Sequence, residues 1–231
     1  VAANWFFCGQ PPLGNMHHVL VFLSLCCLPL YAMLCRRHSL GWVLPHFVLA
    51  SLLSLLGSFF IERDLVWRRV PALQSPWFTP HVVSYMVSYA LAAVAFVLTL
   101  TALWREWSCH GTLPRLRRLS AAVCGEAVLA KPEATAAHVI LRLAFPFMTF
   151  GMLSGALWAE EAWGVYWSWD PKETWSLITW TLYVVFFHCR LTPRFRRWAV
   201  AAQLAAFVAL LVTFLVVNLL PKLGSLLHSY A

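Results

Sequence analysis

The chain has 231 residues, of which 61% are hydrophobic and 11% charged, with a mean hydropathy of +0.71. A soluble domain of this length needs far more polar surface, so composition excludes that class and puts the chain in lipid. The formal net charge of +8 sits in short loops between apolar runs, which is a topology signal and not a nucleic-acid footprint.

About 20 apolar residues in helix cross a bilayer. Six stretches reach or approach that length: 19–35, 41–61, 82–104, 139–158, 174–190 and 198–220. The first contains Pro29, which is expected to kink it. The fifth is short and begins inside a Trp-rich segment. Continuous apolarity, without period-2 alternation, excludes a β-barrel. The fold class is therefore all-α: a single polytopic domain over 1–231 with six transmembrane helices.

Charge asymmetry orients it. The segments 36–40, 105–138 and 190–197, with Arg142 just inside the fourth helix, carry twelve Lys and Arg, against Arg63, Arg68, Arg69, Lys172 and Lys222 on the other side. The positive-inside rule puts the first set in the cytoplasm, 105–138 as the long inner loop, and both termini on the periplasmic side. Pro114–Ala130 reads equally as an amphipathic helix on the inner leaflet or a solvated loop. The seven cysteines form no Cys-x-x-Cys pair and read as small buried hydrophobes. Val1 in place of an initiator Met, with no cleavable leader, suggests a missing upstream segment.

Residues 158–180 read WAEEAWGVYWSWDPKETWSLITW and hold six of the thirteen tryptophans. An interfacial aromatic belt is scattered over many helix ends and does not explain this density. Indole stacks on flat apolar ligands while its N–H reaches a polar edge, so Trp163, Trp167, Trp169 and Trp175, with Asp170 among them, suit a planar macrocycle such as haem. Iron then calls for imidazole. Helix parity brings His81, before the third helix, and His228, after the sixth, to the same outer level as this loop, where they would form a bis-histidine site. His188 lies within an apolar segment near the inner boundary, either as a ligand or as an interfacial group. Lys172, Arg68 and Arg69 suit the acidic propionates. Asp170 and Glu173 read equally as helix N-terminal caps.

The core WGVYWSWDPKETWSLITW resembles the tryptophan-rich WWD signature of the CcsA (ResC) family of system II cytochrome c biogenesis. PALQSPWFTPH at 71–81, LHSYA at 227–231, Phe-His-Cys-Arg at 187–190 and PPLGNM at 11–16 resemble further stretches of that family. The family's Tyr-Glu after Asn-Met is replaced by His17 and His18.

The resemblance implies an integral subunit of the bacterial inner membrane, or a thylakoid equivalent, working on the outer face. Haem b (iron protoporphyrin IX) would pass from an inner site at His188, completed by a histidine of a CcsB-like subunit, to outer ligands His81 and His228. There it would meet apocytochrome c bearing Cys-x-x-Cys-His, with a thioredoxin-like reductant keeping the thiols reduced. The pair would act as a holocytochrome c synthase joining two thiols to the two vinyl groups. The competing readings are a b-type haem protein of electron transfer, a haem exporter, and a CcmC- or CcmF-like haem-delivery subunit.

Overall fold

The computed structural model describes residues 16–60, 75–109 and 127–216, and every regular element among them is helical. Six α-helices run in chain order: α1 (Met16–His38), α2 (Leu44–Phe59), α3 (Phe78–Cys109), α4 (Pro132–Trp163), α5 (Pro171–Leu191) and α6 (Ala199–Leu211). Short 3-10 turns precede α2, α4 and α6, and a π-helical turn over Val212–Val216 continues α6.

Five of these helical segments are long and apolar enough to cross a membrane: His17–His38, Gly41–Phe59, Phe78–Ser108, Pro132–Trp163 and Pro193–Val216. Helix α5 falls short in hydropathy because Trp, Thr, Tyr and His interrupt it, yet its 21 residues give about 30 Å of helix, the thickness of the hydrocarbon core. Helix α1 continues through Pro29 and α4 through Pro146. Each proline removes one ladder bond, a loss that packed neighbours offset in membrane helices.

Helix α3 is the hub, packed by α1, α2, α4 and α6, while α5 leans on α6 and touches α4 lightly. Leu91, Val94, Ala95 and Leu98 of α3 and Ala137, Ile140, Leu141 and Ala144 of α4 are wholly buried. Small residues there allow the backbones to approach, which is how helices pack where lipid removes the hydrophobic drive. Polar pairs set the register. Gln203 donates to Thr99 Oγ1 at 2.6 Å, Ser24 pairs with Ser51 at 2.7 Å, Thr179 pairs with Thr213 at 3.2 Å, and Trp180 Nε1 donates to Thr149 Oγ1 at 3.0 Å. Such bonds contribute about 0.6 kcal/mol each in a membrane, so close packing carries more of the stability.

The two ends of the α3–α4 pair are pinned by charge. Where α3 ends and α4 begins, Arg105 pairs with Glu133 and Lys131 with Glu106 at 3.0 Å. At the opposite end, ahead of α3 and near the end of α4, Ser75 donates to Glu161. His17, at the start of α1, bonds the Ser58 carbonyl oxygen at 2.8 Å and so holds α1 to the end of α2. Most of Pro114–Ala130, and the segments that carry both termini, lie outside the described residues.

Candidate functional site

His81 occupies the first turn of α3. Its Nδ1 lies 2.7 Å from the carbonyl oxygen of Gly151 on α4. A carbonyl can only accept, so Nδ1 carries the proton and Nε2 keeps its lone pair, the arrangement that fixes an imidazole for metal binding. The ring is held on two more sides. It stacks on Trp158 at 5.5 Å and 29°, and meets Tyr85 edge-on at 5.0 Å and 86°. Trp158 is buried and packs in turn on Phe78 at 5.5 Å and Trp163 at 4.9 Å.

This fit depends on two glycines one helical turn apart. A Cβ on Gly155 would lie 2.6 Å from the His81 ring, and one on Gly151 would lie 3.0 Å from the Tyr85 ring. Neither contact is available to an ordinary side chain without displacing the aromatic.

The Trp-rich segment is mostly helical. Helix α4 runs on to Trp163 and stops at Gly164, whose φ of +76° is the left-handed cap that glycine adopts freely. Helix α5 starts at Pro171, so the true connection is 164–170, narrower than the 158–180 loop expected from composition. Asp170 and Glu173 form a capping box. Asp170 Oδ1 accepts from the Lys172 amide at 2.9 Å. Glu173 Oε2 accepts from the amides of Ser168 at 2.8 Å and Asp170 at 3.3 Å, and from Ser168 Oγ at 3.2 Å. Thr174 Oγ1 donates to the Trp169 carbonyl at 3.2 Å. These bonds hold Trp169 at a φ of +61°, a conformation costing a non-glycine residue about 1 kcal/mol, and 69% exposed.

Trp167 and Trp169 meet edge-on at 5.9 Å. With Met152, Leu153 and Ala156 of α4 and Leu177 of α5 they line a cleft of about 340 Å³. The Trp167 Nε1 is buried and has no hydrogen-bond partner. A buried indole N–H left unpaired costs about 1–3 kcal/mol, which a ligand with an acceptor edge would recover. Lys172, in the first turn of α5 ahead of its apolar stretch, acts electrostatically on His81. Burial lowers its ammonium to about 8, with the Asp170 carboxylate opposing.

Of the residues expected from sequence, Trp167 and Trp169 meet at the cleft, while His81 and Trp163 join Trp158 in a second aromatic group. Gly151, Gly155 and Trp158 face His81, and Met152, Leu153 and Ala156 face the cleft, so the two groups lie on different faces of α4. Trp175 is half-buried in the second turn of α5. The Asp170 and Glu173 carboxylates are engaged as caps. His188 is exposed in the last turn of α5, its ring 6.2 Å from Phe195, about 24 Å of helix from Lys172. It therefore belongs to a separate location. His228, Arg68 and Arg69 lie outside the described residues. Sequence reasoning overlooked Gly151, Gly155 and Tyr85. The Gly-x-x-x-Gly spacing within an apolar helix was the available signal.

Two separate features each suit part of a flat, acid-edged macrocycle: the lone-pair imidazole nitrogen of His81, on which Lys172 acts, and the unpaired indole N–H of Trp167 against another face of α4.

Residues 13–224 match the family model described as cytochrome C assembly protein. Among known proteins, the chain is 36% identical to the cytochrome c biogenesis protein CcsA of Chlamydomonas reinhardtii, over 98% of this chain and 63% of that protein. It is 31% identical to CcsA of Mesostigma viride, over 100% of this chain and 80% of that one. It is 33% identical to CcsA of Microcystis aeruginosa, over 100% and 82%. The chain thus spans less than two thirds of the algal protein and about four fifths of the other two.

An exposed or loosely packed helical Gly→Ala change stabilises by about 1 kcal/mol. Gly155→Ala is expected to do the opposite by expelling the His81 ring, and the loss should vanish when His81 is also replaced by Ala. Thermal unfolding of the four members of this cycle checks both signs. Glu173→Ala strips three donors of their acceptor and should loosen 164–170 by about 1–2 kcal/mol. Limited proteolysis should then cut within that connection, and Glu173→Gln should restore most of the protection.

Proposed function

This chain belongs to the cytochrome c assembly protein family, and we propose that it presents haem at the outer face of a membrane for attachment to apocytochrome c. The observation that carries this reading is the His81 imidazole, whose Nδ1 is committed to the Gly151 carbonyl and whose Nε2 is left as a ligand nitrogen. Family membership puts the chain among cytochrome c biogenesis proteins, in the CcsA branch of system II.

The roles follow from chemistry. His81 holds iron from one side and His228 from the other. The apocytochrome's own histidine, in its Cys-x-x-Cys-His motif, then displaces one of them. Trp163 belongs to the aromatic group around His81, while Trp167 and Trp169, against another face of α4 and with Trp175 in the second turn of α5, offer stacking faces for the ring. The Trp167 N–H and the Lys172 ammonium, with Arg68 and Arg69, serve the propionates. Asp170 contributes by fixing the connection that carries the indoles. Bound haem supplies the vinyl groups across which two substrate thiols add, each S–H adding to one C=C with no net oxidation. The chain contributes position and exclusion of water, with no proton transfer at a named side chain.

In this reading α5 is the sixth span, both termini lie outside, and the working face is periplasmic or its thylakoid equivalent. Haem b arrives from an inner location at His188, whose exposed ring suits a site completed by a CcsB-like subunit. A thioredoxin-like protein keeps the substrate thiols reduced. A b-type electron-transfer protein buries its histidine pairs within the bundle, whereas His81 is at a helix start.

His81→Ala should abolish cytochrome c assembly, and added imidazole should restore part of it together with the haem absorbance. Normal assembly in that variant would remove His81 from the mechanism. The cation at position 172 gives a pH test. In the free protein Lys172 loses its proton near pH 8, so haem affinity should fall as pH rises through that value. Lys172→Arg, charged throughout, should hold affinity level between about pH 7 and 9. Haem titration at stepped pH reads the difference.

A further inference from the structure

The inner ends of α4 and α5 carry a cluster of positive charge that the outer site does not use. His138 on α4 is wedged against Phe186 at 5.9 Å and Phe187 at 5.9 Å of α5. Its Nδ1 is buried with no hydrogen-bond partner. The charges that act on it are Arg190 and Arg142, and Arg190 has Arg196 as a further cationic neighbour. The ion pairs formed among the described residues, Arg105–Glu133 and Lys131–Glu106, include none of these arginines. Like charges gathered beside a buried, unpaired imidazole are electrostatically unfavourable until an anion joins them.

The seam above this cluster is apolar and aromatic. Along α4, His138, Arg142, Phe145, Thr149, Met152 and Ala156 recur at intervals of four and three, which puts them on one stripe. Phe145 stacks on Trp180 at 5.6 Å and meets Phe187 at 5.3 Å. Met152 and Ala156 line the cleft with Trp167 and Trp169. Aromatic side chains space the two backbones along this seam, and α5 lies closer to α6 than to α4. One stripe therefore joins a basic inner end to the indole cleft.

We propose that Arg142 and Arg190, with His138, form an anchor for the propionate edge of haem at the inner end of the α4–α5 seam. This rests on the haem-presenting reading above and assigns that same ligand a second, cationic contact. Guanidinium forks match carboxylates in a way that lysine does not, and the ring body would lie along the aromatic seam with its acids toward the cytoplasmic end. Charge complementarity selects this occupant: an apolar plane with two carboxylates on one edge matches an aromatic seam with two guanidiniums at one end.

The test uses the protein purified from membranes, titrated with haem and with haem dimethyl ester, in which both propionates are blocked. Wild type should prefer haem over the diester. The preference should fall at least about tenfold in Arg142→Gln/Arg190→Gln, as expected for losing charge-assisted bonds. Arg142→Gln alone, at an exposed position, should give a smaller fall in the same direction, and Lys172→Gln should leave a preference that still depends on the two arginines. An unchanged preference in the arginine variants overturns the anchor while leaving the outer site standing. So does loss of co-purifying anionic phospholipid with haem affinity intact, which would make the cluster a headgroup site. Absence of haem binding in the wild type would instead remove the reading on which the anchor rests.

Discussion

The half of this protein that holds His81 depends on how closely α3 approaches α4. Two glycines a turn apart leave room for the His81 ring, and a backbone carbonyl exposed by that absence of side chain accepts a hydrogen bond from its Nδ1–H. Tyr85 and Trp158 close the remaining sides. Ion pairs at one end and the Ser75–Glu161 bond at the other hold the two helices at that separation. An imidazole held this way loses little further freedom when it binds a metal, which is the advantage of a preorganised ligand.

Carboxylates and indoles divide the work in the connection between α4 and α5. Near lipid, an irregular backbone must find partners within the protein. Glu173 and Asp170 supply them, and their reach is short enough to fix seven residues between two helices. The strain at Trp169 is maintained by those bonds. With the acids engaged on the backbone, the connection presents aromatic faces and one unpartnered indole N–H, that of Trp167. That is a surface suited to positioning a ligand.

Much of this was legible in the sequence because continuous apolarity is a local signal. Each of the six expected stretches within the described residues is helical, and the Asp-Pro-Lys-Glu run of 170–173 advertises a helix start. Helix α5 reads weakly for a physical reason. Its Trp180, Thr179 and Tyr183 turn toward neighbouring helices, so polar atoms that lower hydropathy are satisfied inside. The partners of His81 were less legible, since Gly151 is seventy residues away. Tryptophan density likewise concealed that Trp158 and Trp163 sit on the extended end of α4, on a different face from Trp167 and Trp169. Composition measures how many indoles are near one another along the chain, and helical phase decides which way each one points.

That phase gives α4 two functions at once. Its Gly151–Gly155–Trp158 face cradles the imidazole, and its Met152–Ala156 face lines the indole cleft. A ligand entering along the α4–α5 seam reaches the Trp167 and Trp169 faces first, because the His138-to-Ala156 stripe leads there.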